Sequence, residues 1–205
     1  MEFQDVVRRR RMVRNFAPRP VPEDVVDRIL SNAQRAPSAG FSQGWAFLVL
    51  EGRDDTERFW NATFPPDETD RTSFRWQGLF DAPLIVVPLS HKQAYIDRYA
   101  EADKGWTDRA DDHWPVPYWD IDTGMASMLM LLTAVDAGLG ALFFGIFPAR
   151  MGRFRKAFDV PDAYTPIGAI AIGYPEPDEP SPSLRRGRRP AEEVIHRGRW
   201  QGAPR

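Results

Sequence analysis

Arginines are the residues of this sequence best suited to chemistry, and they crowd at its two ends. Arg8, Arg9, Arg10, Arg11 and Arg14 fall within seven residues near the start, and Arg185, Arg186, Arg188 and Arg189 within five near the finish. A guanidinium presents a planar fork of donors that matches two oxygens of a phosphate or a carboxylate. The same pattern also suits a solvated helix face and a basic tail, so charge alone leaves both readings open. Residues 1–20 carry six arginines against Glu2 and Asp5, a net +4, and residues 183–205 carry seven against Glu192 and Glu193, a net +5. The 205-residue chain has a formal charge of −2, so its middle holds −11. Such a middle repels a polyanion over most of the surface, which argues against nucleic acid as the partner.

Several other chemistries are excluded or disfavoured. The absence of cysteine removes disulfides, thiolate metal sites and cysteine nucleophiles. His91, His113 and His196 lack paired ligand spacing, so no metal site is expected. The glycines of Gly138–Gly145 sit after a helical pattern and before a strand-like one, the reverse of a Rossmann phosphate loop, and no Gly-Lys-Ser/Thr or Gly-x-Ser-x-Gly occurs. The carboxylates Asp111-Asp112 and Asp120 with Asp122 have no motif around them and read as solvated loop charges or helix caps. Trp106, Trp114, Tyr118 and Trp119 lie within fourteen residues. They suit either a surface loop anchored by its rings or a lid stacked over a flat ligand.

The elements that must position these residues follow from periodicity. Glu2–Val13 reads as a short helix, broken by the prolines of Ala17–Pro22. Pro22-Glu-Asp opens a second helix, with Val25, Val26, Ile29, Leu30 and Ala33 at helical spacing. A loop at Ala36–Gly40 leads to a strand at Trp45–Leu50. Thr56–Phe64 and Phe74–Phe80 read as short helices, and Leu84–Leu89 as a strand buried on both faces. Ile121–Ala137 is apolar all round, which calls for burial on every side, in a large core or across a subunit interface. The most apolar stretch, Gly124–Phe147, is too interrupted, by Asp136, Gly138 and Gly140, to span a membrane. Leu139–Phe144 reads as a strand, Phe147–Phe158 as an amphipathic helix and Ile167–Tyr174 as a central strand. Residues 175–205 are too proline-rich for a core of their own and suit a path along this or another subunit. No signal segment is recognisable, and a soluble cytoplasmic protein is expected.

Taken in order, several of these stretches resemble one family. Arg10-Arg11-Met12-Val13-Arg14-Asn15-Phe16, Pro20-Val21-Pro22 with its helix, and Ala36-Pro37-Ser38-Ala39-Gly40-Phe41-Ser42-Gln43-Gly44-Trp45 are similar to the N-terminal half of FMN-dependent nitroreductases. Gly138-Leu139-Gly140, Ile167–Pro175 and Arg186–Val194 are similar to the C-terminal half. The resemblance implies an α+β, three-layer fold with a central, mostly antiparallel sheet flanked by helices. It implies one domain over 1–205, its tail 175–205 packed on the partner, in an intertwined homodimer with FMN in each interfacial cleft. Carried over by motif position, Arg10, Arg11, Met12 and Arg14 meet the flavin, with Arg10 at its phosphate and Arg14 toward the pyrimidine end. Arg186 and Arg188 complete the phosphate site. Pro37, Ser38, Ala39 and Phe41 approach from the partner, and Phe143, Phe144 and Gly145 line one face of the ring. Phe41, Trp114 and Trp119 are the candidate substrate contacts.

The implied activity is an oxidoreductase that takes hydride from NADH or NADPH and passes it to a nitroaromatic or quinone. No protein nucleophile is needed when a cofactor carries the chemistry. Three departures stand out: Met12 in place of Ser, Phe41 in place of Asn, and Gly78 where some relatives place a lysine, with Arg75 nearby. Phe41 and the tryptophan-rich stretch also suit an alternative, a protein that stores or shields FMN with little turnover.

Overall fold

The computed structural model describes residues 1–200. Its centre is the strand Ala169–Pro175 (β6), flanked antiparallel by Leu84–Ser90 (β3) and Gly140–Phe144 (β4). Trp45–Glu51 (β2) pairs along the outer side of β3, so the long strands run β4-β6-β3-β2. Two-residue strands at Phe16–Ala17 (β1) and Thr165–Pro166 (β5) extend β6 and β3. Every strand pair is antiparallel, and one parallel bridge joins Met12 to Ala141 on the free side of β4.

Alternation along the strands makes two cores. Ile85, Val87, Leu89, Leu142, Ala169 and Ala171 face one side, against Phe59 and Trp60 of helix α3 (Gly52–Thr63) and Phe154 of α6 (Met151–Ala157). Leu84, Val86, Ala141, Ile170 and Ile172 face the other. They meet Val26, Ile29 and Ala33 of α2 (Glu23–Ala33) and Ala126, Met130 and Ala134 of α5 (Tyr118–Asp136). A strand whose two faces both meet helices must be apolar throughout, as Leu84–Leu89 is. Each large side chain so buried contributes about 1.5–3 kcal/mol. Helices on both faces of one sheet give the expected three layers.

Several boundaries differ from the periodic reading. The first helix, α1, covers only Phe3–Arg9, because the Val13 N–H donates to the Ala141 carbonyl (3.0 Å) and residues 10–14 run extended beside β4. Gly140 permits that approach, since a Cβ there would lie 2.8 Å from a Val13 methyl. Phe74–Phe80 is not a helix but an irregular stretch with a 3-10 turn at Gln77–Leu79, and Phe147–Phe158 divides into a turn at Pro148–Arg150 followed by α6. The helix Lys92–Tyr99 (α4) escapes the pattern because Tyr95 is its one buried residue. A last short helix, α7, covers Ala191–Val194. Helix α5 is buried on one side only: Ile121, Met125 and Met128 form an exposed apolar stripe at helical spacing. Among the described residues no helix is long and apolar enough to cross a membrane.

Candidate functional site

Beside the end of β4, Arg14 and residues of the irregular Phe64–Phe80 stretch flank a cavity of about 420 Å³. Arg14, Trp76, Phe143, Phe144, Gly145 and Phe147 line it, so four of the sequence-predicted residues meet in one place. Phe144 is fixed from behind by stacking on the buried Trp60, with ring centroids 5.7 Å apart at 15°. Arg14 lies 4.9 Å from the Trp76 ring centroid and donates from Nη1 to the Met12 carbonyl (3.3 Å). No carboxylate among the described residues pairs with its guanidinium. Gly145 leaves open space where a Cβ would stand, so its backbone is approachable. An apolar slot with a few polar groups at its wall suits a flat, charged-ended ligand.

The other arginines divide. Arg8 pairs with Asp5, whereas Arg11 donates to Asp178 at 2.5 Å and lines a different pocket, of about 200 Å³. Arg10, at the end of α1, is half-buried, and Arg186 and Arg188 are exposed. These three have no ion-pair partner among the described residues. The structure does not bring Arg186 or Arg188 to the cavity that holds Arg14. Gly78 sits against Asn15, and a Cβ there would stand 1.5 Å from Asn15 Oδ1, so no longer side chain fits unless Asn15 moves. Arg75 is occupied by Glu179 (2.8 Å) and does not line the cavity.

The Pro37–Ala39 loop is built around a carboxylate that the sequence reading assigned to a solvated loop or a helix cap. Asp122 is 2% exposed; its Oδ2 accepts the Ala39 N–H and the Tyr95 hydroxyl, each at 2.8 Å. Ser38 Oγ lies 3.3 Å from the same phenol and accepts the Gln43 N–H at 2.8 Å. Burial, with Asp122 alongside, pushes the Tyr95 phenol well above its usual range. Asp120 likewise is not simply solvated, since it accepts from Ser90 Oγ at 2.6 Å. Beyond this network Phe41 projects, 74% exposed at φ +56°, a left-handed conformation that costs a β-carbon residue roughly 1–3 kcal/mol. Trp114 packs among Tyr95, Tyr99 and Trp106, and Trp119 against Tyr95 and Trp114, so these rings anchor residues 100–117 on α4.

Within one chain the loop and the cavity are apart. Residues 37–45 lead into β2 at one edge of the long strands, and Phe143–Gly145 end β4 at the other. Three strand spacings separate these edges, about 14 Å. Trp76, Phe64 and Phe74 of the cavity wall, the Tyr95–Asp122 pair and Asp178 went unnoticed in the sequence. Their proximity is tertiary, and no local spacing signals it.

A three-layer α+β fold with an aromatic slot beside an unpaired arginine defines a class, and comparison with known proteins agrees with it. The family model described as the nitroreductase family matches residues 7–174, and the chain belongs to that family. A Methanothermobacter thermautotrophicus protein, provisionally named NADH dehydrogenase/NAD(P)H nitroreductase, is 28% identical over 177 residues, covering 85% of this chain and 78% of the relative. A Staphylococcus aureus NADPH-dependent oxidoreductase is 23% identical over 196 residues, covering 96% and 73%. Among solved structures, Lactococcus lactis nitroreductase CinD, in complex with nicotinic acid, superposes with a TM-score of 0.77 at 16% identity, over 97% of this chain and all of its own. A Desulfovibrio desulfuricans nitroreductase homologue in complex with FMN gives 0.69 at 22%, over 98% and 99%. These two likenesses concern the fold.

Proposed function

We propose that this chain is an FMN-dependent oxidoreductase that draws on NADH or NADPH and reduces a small electron-deficient acceptor, a nitroaromatic or a quinone. The observation that carries the reading is the 420 Å³ slot, which joins Arg14 to the ring walls of Trp76, Phe143 and Phe144. The residues present fit a flavin: aromatic walls for a planar ring, an approachable backbone at Gly145, and a cation without a counter-ion. FMN, when bound, supplies two-electron exchange between donor and acceptor. Arg14 would set its fixed positive charge beside the bound ring, where it would offset negative charge. Phe143 and Phe144 keep the slot dry, and Gly145 offers its amide as a donor. Arg10 is free to hold a phosphate by charge-assisted hydrogen bonds; Arg186 and Arg188, which stand off the slot of their own chain, would join it from the tail of the other protomer.

The complete site needs a second copy. Pro37, Ser38 and Ala39 of one protomer complete the cleft of the other, because within a chain they stand on the opposite edge of the sheet. The exposed Ile121, Met125 and Met128 stripe is the surface that a homodimer would cover. Residues 1–205 act as one domain; the tail is held on its own chain through residues 176–179, and it is the part beyond them that reaches the partner, positions 201–205 lying outside the described residues. Phe41, with Trp114 and Trp119, shapes the acceptor's entrance. A cytoplasmic location and no dependence on nucleic acid or membrane complete the reading.

Purified protein is expected to be yellow or to bind added FMN. Anaerobic stopped-flow mixing with NADPH or NADH is expected to bleach the flavin, and a quinone to restore it. Failure to bind FMN overturns the reading. Binding with bleaching far slower than turnover of ordinary enzymes, about 1–1,000 per second, replaces it with storage or shielding of FMN.

A further inference from the structure

The motif Arg10–Arg14 places three guanidiniums close together, yet the structure treats them differently. Asp178, whose side chain is 4% exposed, pairs with one of them, Arg11. Its Oδ1 accepts from Arg11 Nη1 at 2.5 Å, and its Oδ2 accepts the backbone N–H of Arg14 at 2.9 Å. A carboxylate so far from water is stable only when paired and fully hydrogen-bonded. Neighbouring residues sew the same segment down. Asn15 Nδ2 donates to the Pro177 carbonyl (2.8 Å), and the Glu176 N–H donates to the Asn15 carbonyl (2.9 Å). On the far side, Trp76 Nε1 donates to the Glu179 carbonyl at 3.0 Å, so residues 176–179 bind both the motif and the cavity wall. Because residues 10–14 are extended, alternate side chains point to opposite sides. Arg14 accordingly lines the aromatic slot, while Arg11 lines the separate pocket beside Val13 and Gly140.

We propose that Asp178 is a positioning residue that holds Arg11 as an internal strut and fixes the Arg14 backbone, so that Arg14 alone of the two presents its guanidinium to the cofactor. The proposal rests on the FMN reading above, and it narrows the role that the family resemblance implies for Arg11. Its physical consequence is specific. If Arg11 is removed, the buried carboxylate loses its counter-ion, and the Arg14 side chain, unpaired and on the residue whose backbone N–H Asp178 already holds, is a replacement within the same segment. Arg14 then turns from the slot toward Asp178. Removing the carboxylate as well leaves nothing to draw Arg14 away.

The test uses the full chain with Arg11→Met, Arg11→Lys, Asp178→Asn, Arg14→Met and the double variant Arg11→Met/Asp178→Asn. FMN affinity is read by flavin fluorescence, and stability by thermal unfolding of FMN-free protein. Arg11→Met is expected to weaken FMN binding by about tenfold or more, and the double variant to recover to within about threefold of wild type. Arg11→Lys, which keeps the charge beside Asp178, is expected to bind like wild type, whereas Arg14→Met loses affinity. A double variant as weak as Arg11→Met, or Arg11→Lys as weak as Arg11→Met, makes Arg11 a direct ligand and overturns the proposal. If wild type itself binds no FMN, the functional reading fails separately. The unfolding temperatures then decide the strut: a double variant more stable than Arg11→Met supports it, and strictly additive losses refute it.

Discussion

Tyr95 shows how one side chain couples the loop chemistry to stability. It has no exposed surface, and its hydroxyl donates to the buried Asp122 carboxylate at 2.8 Å. Tyr95→Phe leaves that carboxylate one donor short, and is expected to cost about 1–3 kcal/mol at neutral pH, measured by urea unfolding. A pH dependence follows from the same contact. The folded-state phenol is raised, so the folded chain keeps its proton where the unfolded chain, with an ordinary value of 10.0, loses it. Stability from Tyr95 is therefore full below pH 10 and falls as pH rises above it. Unfolding curves between pH 9 and about 11 should show a shallower alkaline decline in Tyr95→Phe than in wild type. An equal decline in both would assign the loss to other groups.

At the scale of elements, α5 carries the clearest expectation. Its inner residues Ala126, Met130 and Ala134 are sealed against the sheet, while Met128 is 46% exposed. Met128→Arg leaves the inner face untouched and places a cation in the apolar stripe. It is expected to shift the sedimentation profile from dimer toward monomer with little change in far-UV circular dichroism. A monomeric wild type would refute the interface. The same helix shows what was legible in advance: its apolar content required burial on both sides, and one chain supplies only one. Strands β3 and β6 were equally readable, because short continuous apolar runs bounded by turn residues suit strands buried on both faces. Lys92–Tyr99 was not readable, since a helix with one buried residue has almost no periodic signal. Glu2–Val13 misled because arginine favours helices, while a hydrogen bond to a carbonyl on distant β4 decides the conformation. The candidate site divides in the same way. Arg14 and Phe143–Gly145 were marked by motif, but Trp76, Tyr95 and Asp178 gain their meaning only from residues far away in sequence.

At the scale of the whole molecule, ligand binding and folding become one equilibrium. The slot draws walls from residues 14, 64–79 and 142–148, which come together only in the native chain. FMN held there is expected to stabilise the protein by about 2.7 kcal/mol at a hundredfold excess over Kd. For a chain of this size that corresponds to a rise of roughly 5–11 °C in Tm, measurable by differential scanning calorimetry. An unchanged Tm would place FMN outside the cooperative structure. Arg14 and Asp178 are 164 positions apart, and the Arg11 side chain depends on the same carboxylate. During synthesis Arg11 and the Arg14 backbone therefore wait for their shared carboxylate until 167 further residues have followed Arg11. The nascent chain thus keeps the Arg11–Arg14 segment unanchored long after its own residues have been added.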